Sequence, residues 1–126
     1  MIVIQVAELI EEAKIEGINN VYTNNIPASA PDDKSVTDLR ITELPEIDDD
    51  AGSDQTTTIT KGVSIDIFYS TDADPDDLES RILNLMMNNG WFRTYSPGHT
   101  LDPETMQLSK TMHFTQKFNR NLKGIA

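Results

Sequence analysis

Residues 61–91 read KGVSIDIFYSTDADPDDLESRILNLMMNNGW, and this stretch decides the fold. Val63, Ile65, Ile67 and Tyr69 alternate with Ser64, Asp66 and Phe68, the period of a strand with one buried face. Ser70 to Asp74 turn the chain. Asp74 stands where a helix N-cap is needed, and Pro75 at the first helical position gives up no hydrogen bond. Asp76, Asp77 and Glu79 then place negative charge at the positive end of the helix dipole. Leu78, Ile82, Leu85, Met86 and Asn89 share one helical face, Gly90 supplies the stop, and Trp91 and Phe92 open another strand.

Outward from this block, the N-terminal side begins with a second amphipathic segment. Ile2, Val6, Leu9, Ile10 and Ala13 form an apolar stripe opposite Gln5, Glu8, Glu11, Glu12 and Lys14. This predicts a helix of roughly 14 residues ended by Gly17. Residues 18–34 read as a crossing loop, with Val21 and Tyr22 as a short extended piece and proline turns at Pro27 and Pro31. A loop of this length is a candidate contact segment, set against the plainer reading that it only crosses a sheet edge. Ser35 to Leu44 predicts a strand with imperfect alternation, ended by Pro45. Glu46 to Gln55 has no apolar pattern and reads as a mobile acidic loop. Thr56 to Tyr69 is its returning strand.

On the C-terminal side, Trp91 to Tyr95 predicts a third strand, followed by turns at Ser96–His99 and Leu101–Thr105. In Met106 to Phe118, Met106, Leu108, Met112, Phe114 and Phe118 share one parity, which predicts a fourth, half-buried strand. Asn119 to Ala126 is a basic, weakly patterned tail. The expectation is a single α+β domain over residues 1–126. It is a two-layer sandwich in the order α-β-β-α-β-β, with a mainly antiparallel four-stranded sheet and both helices on one face.

Composition limits what such a domain does. The chain has 126 residues, no cysteine and a formal charge of −11. The first excludes nothing but a very small core, the second excludes disulfides and thiolate zinc sites, and the third opposes phosphate binding. No apolar run is long enough to span a bilayer, and Glu8, Glu11 and Glu12 interrupt what would be a leader, so an intracellular protein is expected. The charge is unevenly spread: residues 1–80 carry −15 and residues 81–126 carry +4. Such polarity favours head-to-tail association, although within one compact fold the two halves also cancel locally.

Catalytic patterns are weak. Asp72, Asp74 and Asp76 imitate the start of a calcium loop, but Asp77 replaces the required glycine and Leu83 the required glutamate. The helix-cap reading accounts for the same acids. Asp48–Asp50 has no specific ligand spacing, and a solvated loop explains it. His99 and His113 have no metal-site or nucleophile-elbow context, so surface positions are expected for both. No enzyme, cofactor or metal is expected.

Val63–Tyr69, the helix from Pro75 to Asn89, Gly90-Trp91-Phe92 and the run Ser96-Pro97-Gly98-His99…Leu101-Asp102-Pro103-Glu104-Thr105…Leu108 carry a resemblance, completed by Thr111-Met112-His113-Phe114. Val21–Pro27 and Val36–Glu43 fit the same picture. The chain resembles the tail-terminator or tail-completion (minor tail) proteins of long-tailed phages and prophages of Gram-positive bacteria. That resemblance implies a structural protein of the virion tail, assembled in the host cytoplasm. It implies a homo-oligomeric, hexameric ring on the head-proximal end of the tail tube. The ring's partners would be the major tail tube protein and the head–tail connector, with no membrane and no sequence-specific nucleic acid. Candidate interaction residues are Asp48, Asp49, Asp50 and Asp54 in the acidic loop, Asp32 and Asp33 in the crossing loop, and Lys117, Arg120 and Lys123 near the C-terminus. The alternative is an acidic, monomeric inhibitor or immunity-type protein that caps a basic partner.

Overall fold

A computed structural model of the chain describes residues 1–24, 35–48 and 57–120. The elements in order are α1 (Ile2–Ala13), β1 (Asn20–Thr23), β2 (Asp38–Asp48), β3 (Thr57–Phe68), α2 (Pro75–Asn88), β4 (Phe92–Tyr95), β5 (Thr100–Leu101) and β6 (Leu108–Arg120). The class is α+β, with two helices against an open mixed sheet in the order β1-β2-β3-β6-β4, and β5 also paired to β6.

The expected mainly antiparallel sheet is present, but its four strands are corrected to six among the described residues. β1 pairs in parallel with β2 in the register Val21↔Leu39, while all other pairs are antiparallel. Two parallel neighbours cannot be joined by a tight hairpin turn; residues 25–34, expected as a crossing loop, lie outside the described residues. β5 is only a two-residue bridge. It is held by the turn in which Asp102 N donates to Gln107 O and Met106 N to Asp102 O.

The strand bounds also shift for physical reasons. Pro45 does not end β2. The ladder to β3 slips between Leu44 and Ile47 and then continues through Ile47↔Thr60 and Asp48↔Ile59. A bulge is where a strand tolerates a residue without an N–H, and it restores pairing beyond the proline. Glu46, Ile47 and Asp48, expected in the acidic loop, thus belong to β2, and the rest of that segment lies outside the described residues. At the other side, β6 runs on to Arg120, into the segment expected to be a loose tail.

α1 ends earlier than Gly17. Lys14 takes the left-handed conformation at φ 50°, and its N–H closes on Glu11 O. α2 matches its reading closely. Asp74 Oδ1 accepts from Asp77 N at 3.2 Å, Pro75 is the first helical residue, and Asn89 and Gly90 end the helix, the latter at φ +88°.

The core lies between the helices and one sheet face. Leu39 and Ile41 of β2, Val63, Ile65 and Ile67 of β3, and Met112 and Phe114 of β6 all share that face. Over them pack Val3, Val6, Ala7 and Ile10 of α1 and Leu78, Ile82 and Met86 of α2, with Trp91 closing one side. Each fully buried aliphatic or aromatic side chain contributes about 1.5–3 kcal/mol by leaving water, so this one cluster sets the fold. Ala13, expected in the apolar stripe, is exposed because α1 ends there. Met106 is also exposed, since it sits at φ 60° in the turn before β6.

No helix among the described residues covers the opposite sheet face, which has a polar centre. Asp66 at its centre accepts from Arg40 Nη2 at 2.8 Å and from Thr111 Oγ1 at 2.6 Å, so one carboxylate joins β2, β3 and β6. Arg40 also lies over the Phe68 ring.

Candidate interaction surfaces

The β3–β6 ladder has two ends, and the charged side chains of interest divide between them. One end is the pairing of Phe68 with Ser109, the other the pairing of Thr57 with Arg120.

At the first end a polar cluster gathers beneath the start of α2, with Tyr69 buried, Glu79 half-buried and His99 exposed at its rim. Tyr69, just past β3, is 1% exposed, and its hydroxyl donates to Glu79 Oε2. The same carboxylate oxygen lies 2.6 Å from His99 Nε2, and the Tyr69 and His99 rings are 6.3 Å apart. Lys110, on the core-facing side of β6, is buried and donates to the Pro97 carbonyl. Burial, then the hydrogen bond to Glu79 and the negative charges of Glu79 and Asp76, push the Tyr69 phenol far above its ordinary value. Tyr69 therefore stays a neutral donor. The cluster fastens the segment after β4 to α2: Glu79 is the hub, and His99 and Tyr69 reach it from two different connections.

This arrangement was not legible in the sequence. His99 is read there as a surface turn residue, and it is exposed, but its contact with Glu79, read only as a dipole charge, has no sequence signal. The residues meet only because β3, α2 and the 96–99 turn converge. The parity of Lys110 with Met112 and Phe114 was the available signal, since it places an ammonium on the apolar face. His113 lies half-buried on the open sheet face, 4.8 Å from the Tyr95 ring.

The second end gathers three of the expected interaction residues. The register runs Ile47↔Thr60↔Lys117 and Asp48↔Ile59↔Phe118, with Thr57↔Arg120 beyond. Asp48, Lys117 and Arg120, taken from separate stretches of sequence, thus belong to one three-stranded projection. Glu46, Ile47, Asp48, Lys117 and Asn119 are exposed there. Lys61 bridges it on the helix side, 3.6 Å from Glu46 Oε2 and above the Phe118 ring. Asp32, Asp33, Asp49, Asp50, Asp54 and Lys123 lie outside the described residues.

Two shallow grooves meet beside this projection. One, of about 210 Å³, is lined chiefly by Ile2, Leu9, Trp91 and Phe118. The other, of about 280 Å³, is lined by Phe92, Thr115, Lys117 and Thr60. Gly90 and Gln116 separate them. A Cβ at Gly90 would collide with Gln116 Nε2, and Gln116 in turn donates to Asn89 O at 3.4 Å. A larger groove, of about 490 Å³, lies elsewhere, between the end of α1 and β1, lined by Ile10, Lys14, Ile18 and Tyr22 among others. Among the described residues no three histidine, aspartate or glutamate side chains are grouped as metal ligands. No described helix is long and apolar enough to cross a membrane.

No curated protein matches the chain. A family model does, over residues 1–119, from the first turn of α1 almost to the end of β6. Both the polar cluster and the described part of the projecting end fall within those limits, except for the last position of β6. The chain belongs to the family described as "Protein of unknown function (DUF806)".

Proposed function

We propose that this protein is a structural phage protein of the tail-terminator type. It caps the head-proximal end of the tail tube as a hexameric ring, stops polymerisation of the major tail protein, and forms the surface that joins the head–tail connector. It acts in the virion tail, after assembly in the host cytoplasm. On this reading no bond is made or broken. The chemistry is recognition, and it takes place at subunit junctions and at the tube end.

The observation that carries the reading is the projecting end of the sheet. Asp48, Lys117 and Arg120 stand together there, at the root of the acidic segment that continues into Asp49, Asp50 and Asp54. A ring closes through heterologous contacts, in which one patch of a subunit meets a different patch of the next. A molecule with mixed charge at one end and acids along its helices provides unlike patches. Glu8, Glu11, Glu12 and Glu16 of α1 and its C-terminal side are exposed. Head-to-tail packing sets such acids near another subunit's Lys117 and Arg120, and charge complementarity fixes register more than it adds affinity.

The overall charge of −11 favours a second reading, an acidic monomeric inhibitor that caps a basic partner. The two separate in one experiment. Tail tubes polymerised from the major tail protein of the same phage are sedimented with the protein present. The terminator reading expects the protein in the pellet at a fixed, small number of copies per tube, independent of tube length. A protein left wholly in the supernatant at every ratio contradicts it.

A further inference from the structure

We propose that the outer edge of β6 from Gln116 to Arg120 accepts an extended, acidic and alternately apolar segment of a partner polypeptide as an added strand. β6 is the longest strand, and β3 pairs with one of its edges along Ser109–Arg120. Its other edge is paired only in part: β5 covers Leu108 and Ser109, and β4 covers His113 to Thr115. From Gln116 onward no strand among the described residues occupies that side. In an antiparallel ladder alternate residues turn both N–H and C=O away from their partner, so this edge presents unpaired backbone donors and acceptors.

The surroundings specify the guest. The apolar groove of Ile2, Leu9, Trp91 and Phe118 lies on the helix side of the edge. The groove of Phe92, Thr115, Lys117 and Thr60 lies on the open side. A strand sends successive side chains to opposite faces, so alternate residues of a guest enter alternate grooves. The helix-side groove takes aliphatic or aromatic side chains. The open-side groove takes carboxylates, because Lys117 makes no ion pair among the described residues. Leu108 to Arg120 itself contains no acid in a chain with 21 of them. An acidic guest therefore meets no carboxylate on this strand itself. Gly90 matters here, because its missing side chain leaves Gln116 in place as the divider between the two grooves.

The inference does not depend on the tail reading, since it concerns the chemistry of the guest and not its identity. Trp91 is the sole tryptophan and lines the helix-side groove, so its fluorescence reports occupancy. The probe is a synthetic heptapeptide alternating isoleucine and glutamate, with the same peptide carrying lysine for glutamate as control. The glutamate peptide is expected to shift Trp91 emission saturably and to slow amide exchange at alternate residues of 117–120. Lys117→Glu is expected to weaken binding about fivefold, the scale of one exposed charge pair. Equal binding of the lysine peptide overturns the charge assignment. Unchanged Trp91 emission with unchanged exchange at 117–120, or slowed exchange confined to other strands, overturns the site. If the free protein self-associates with the same amides slowed, the guest strand comes from a second copy and the edge stands.

Discussion

The two ends of the β3–β6 ladder use the same kinds of residue to opposite effect. At the Phe68–Ser109 end a tyrosine, a glutamate and a lysine are turned inward, and together with the exposed His99 they are satisfied by one another or by a backbone carbonyl. At the Thr57–Arg120 end Asp48 and Lys117 face solvent beside a strand edge that no strand among the described residues pairs. Buried polar groups need partners, so the first end pays for its polarity with fixed geometry. Exposed charges contribute little to stability and are free to meet another surface. One end is therefore expected to hold the fold and the other to make contacts, and substitutions should separate stability from binding along this axis.

The largest effect is expected at the Phe68–Ser109 end. Tyr69→Ala removes a fully buried ring and leaves Glu79 short of a donor, so urea denaturation should show a loss of about 3–5 kcal/mol. Tyr69→Phe keeps the packing and removes only the hydroxyl, with an expected loss of about 1–3 kcal/mol. A loss as large as that of the alanine variant would mean that the hydrogen bond, not the ring, holds this end.

The same residue gives a pH dependence whose sign is fixed. The Tyr69 phenol is raised in the folded state, so the unfolded chain releases this proton first. Its contribution is complete below the ordinary phenol value of about 10 and is lost as pH rises beyond it. Denaturation midpoints should fall above that pH in the native protein, and less steeply in Tyr69→Phe. Parallel slopes in the two proteins would break the assignment.

Smaller effects are expected at the borders of α2. Asp74→Ala should cost about 1 kcal/mol by freeing the Asp77 N–H, read from the thermal midpoint. Gly90→Ala should cost about 1–2 kcal/mol, because alanine resists φ +88°. It should also disturb the Gln116 divider, which exchange at 116–118 would report. At the projecting end, Lys117→Glu or deletion of residues 48–53 should change stability by no more than about 0.5 kcal/mol. Both should still impair head–tail joining in an assembly assay. A stability loss as large as that of Tyr69→Phe would collapse the distinction between the ends.

How much of this was legible in the sequence depended on locality. α2 was readable because Asp74, Pro75 and the Leu78–Ile82–Met86 spacing are all local signals. The core faces of β3 and β6 were readable from period-2 alternation. β1 has four residues and β5 two, too few to show a period; β1 pairs with a strand distant in sequence, and β5 is held by the 102–107 turn. Pro45 looked like a terminator because its missing N–H forbids a regular ladder, but a bulge accommodates it. The Tyr69–Glu79–His99 cluster depends on contacts between residues 10 to 30 positions apart, which no local pattern encodes. Of the expected interaction residues, Asp48, Lys117 and Arg120 come together only through the β2–β3–β6 register. The unpaired edge of β6 depends on where β4 stops, which the sequence does not announce.

The most direct measurement of the central claim is tube growth. The major tail protein of the same phage is polymerised with and without this protein, and tubes are imaged by negative-stain electron microscopy. The account predicts a ring-shaped density at one end of each tube, arrested elongation, and loss of both effects in the variant lacking residues 48–53. Tubes that elongate at the same rate with bare ends at every protein concentration would contradict it.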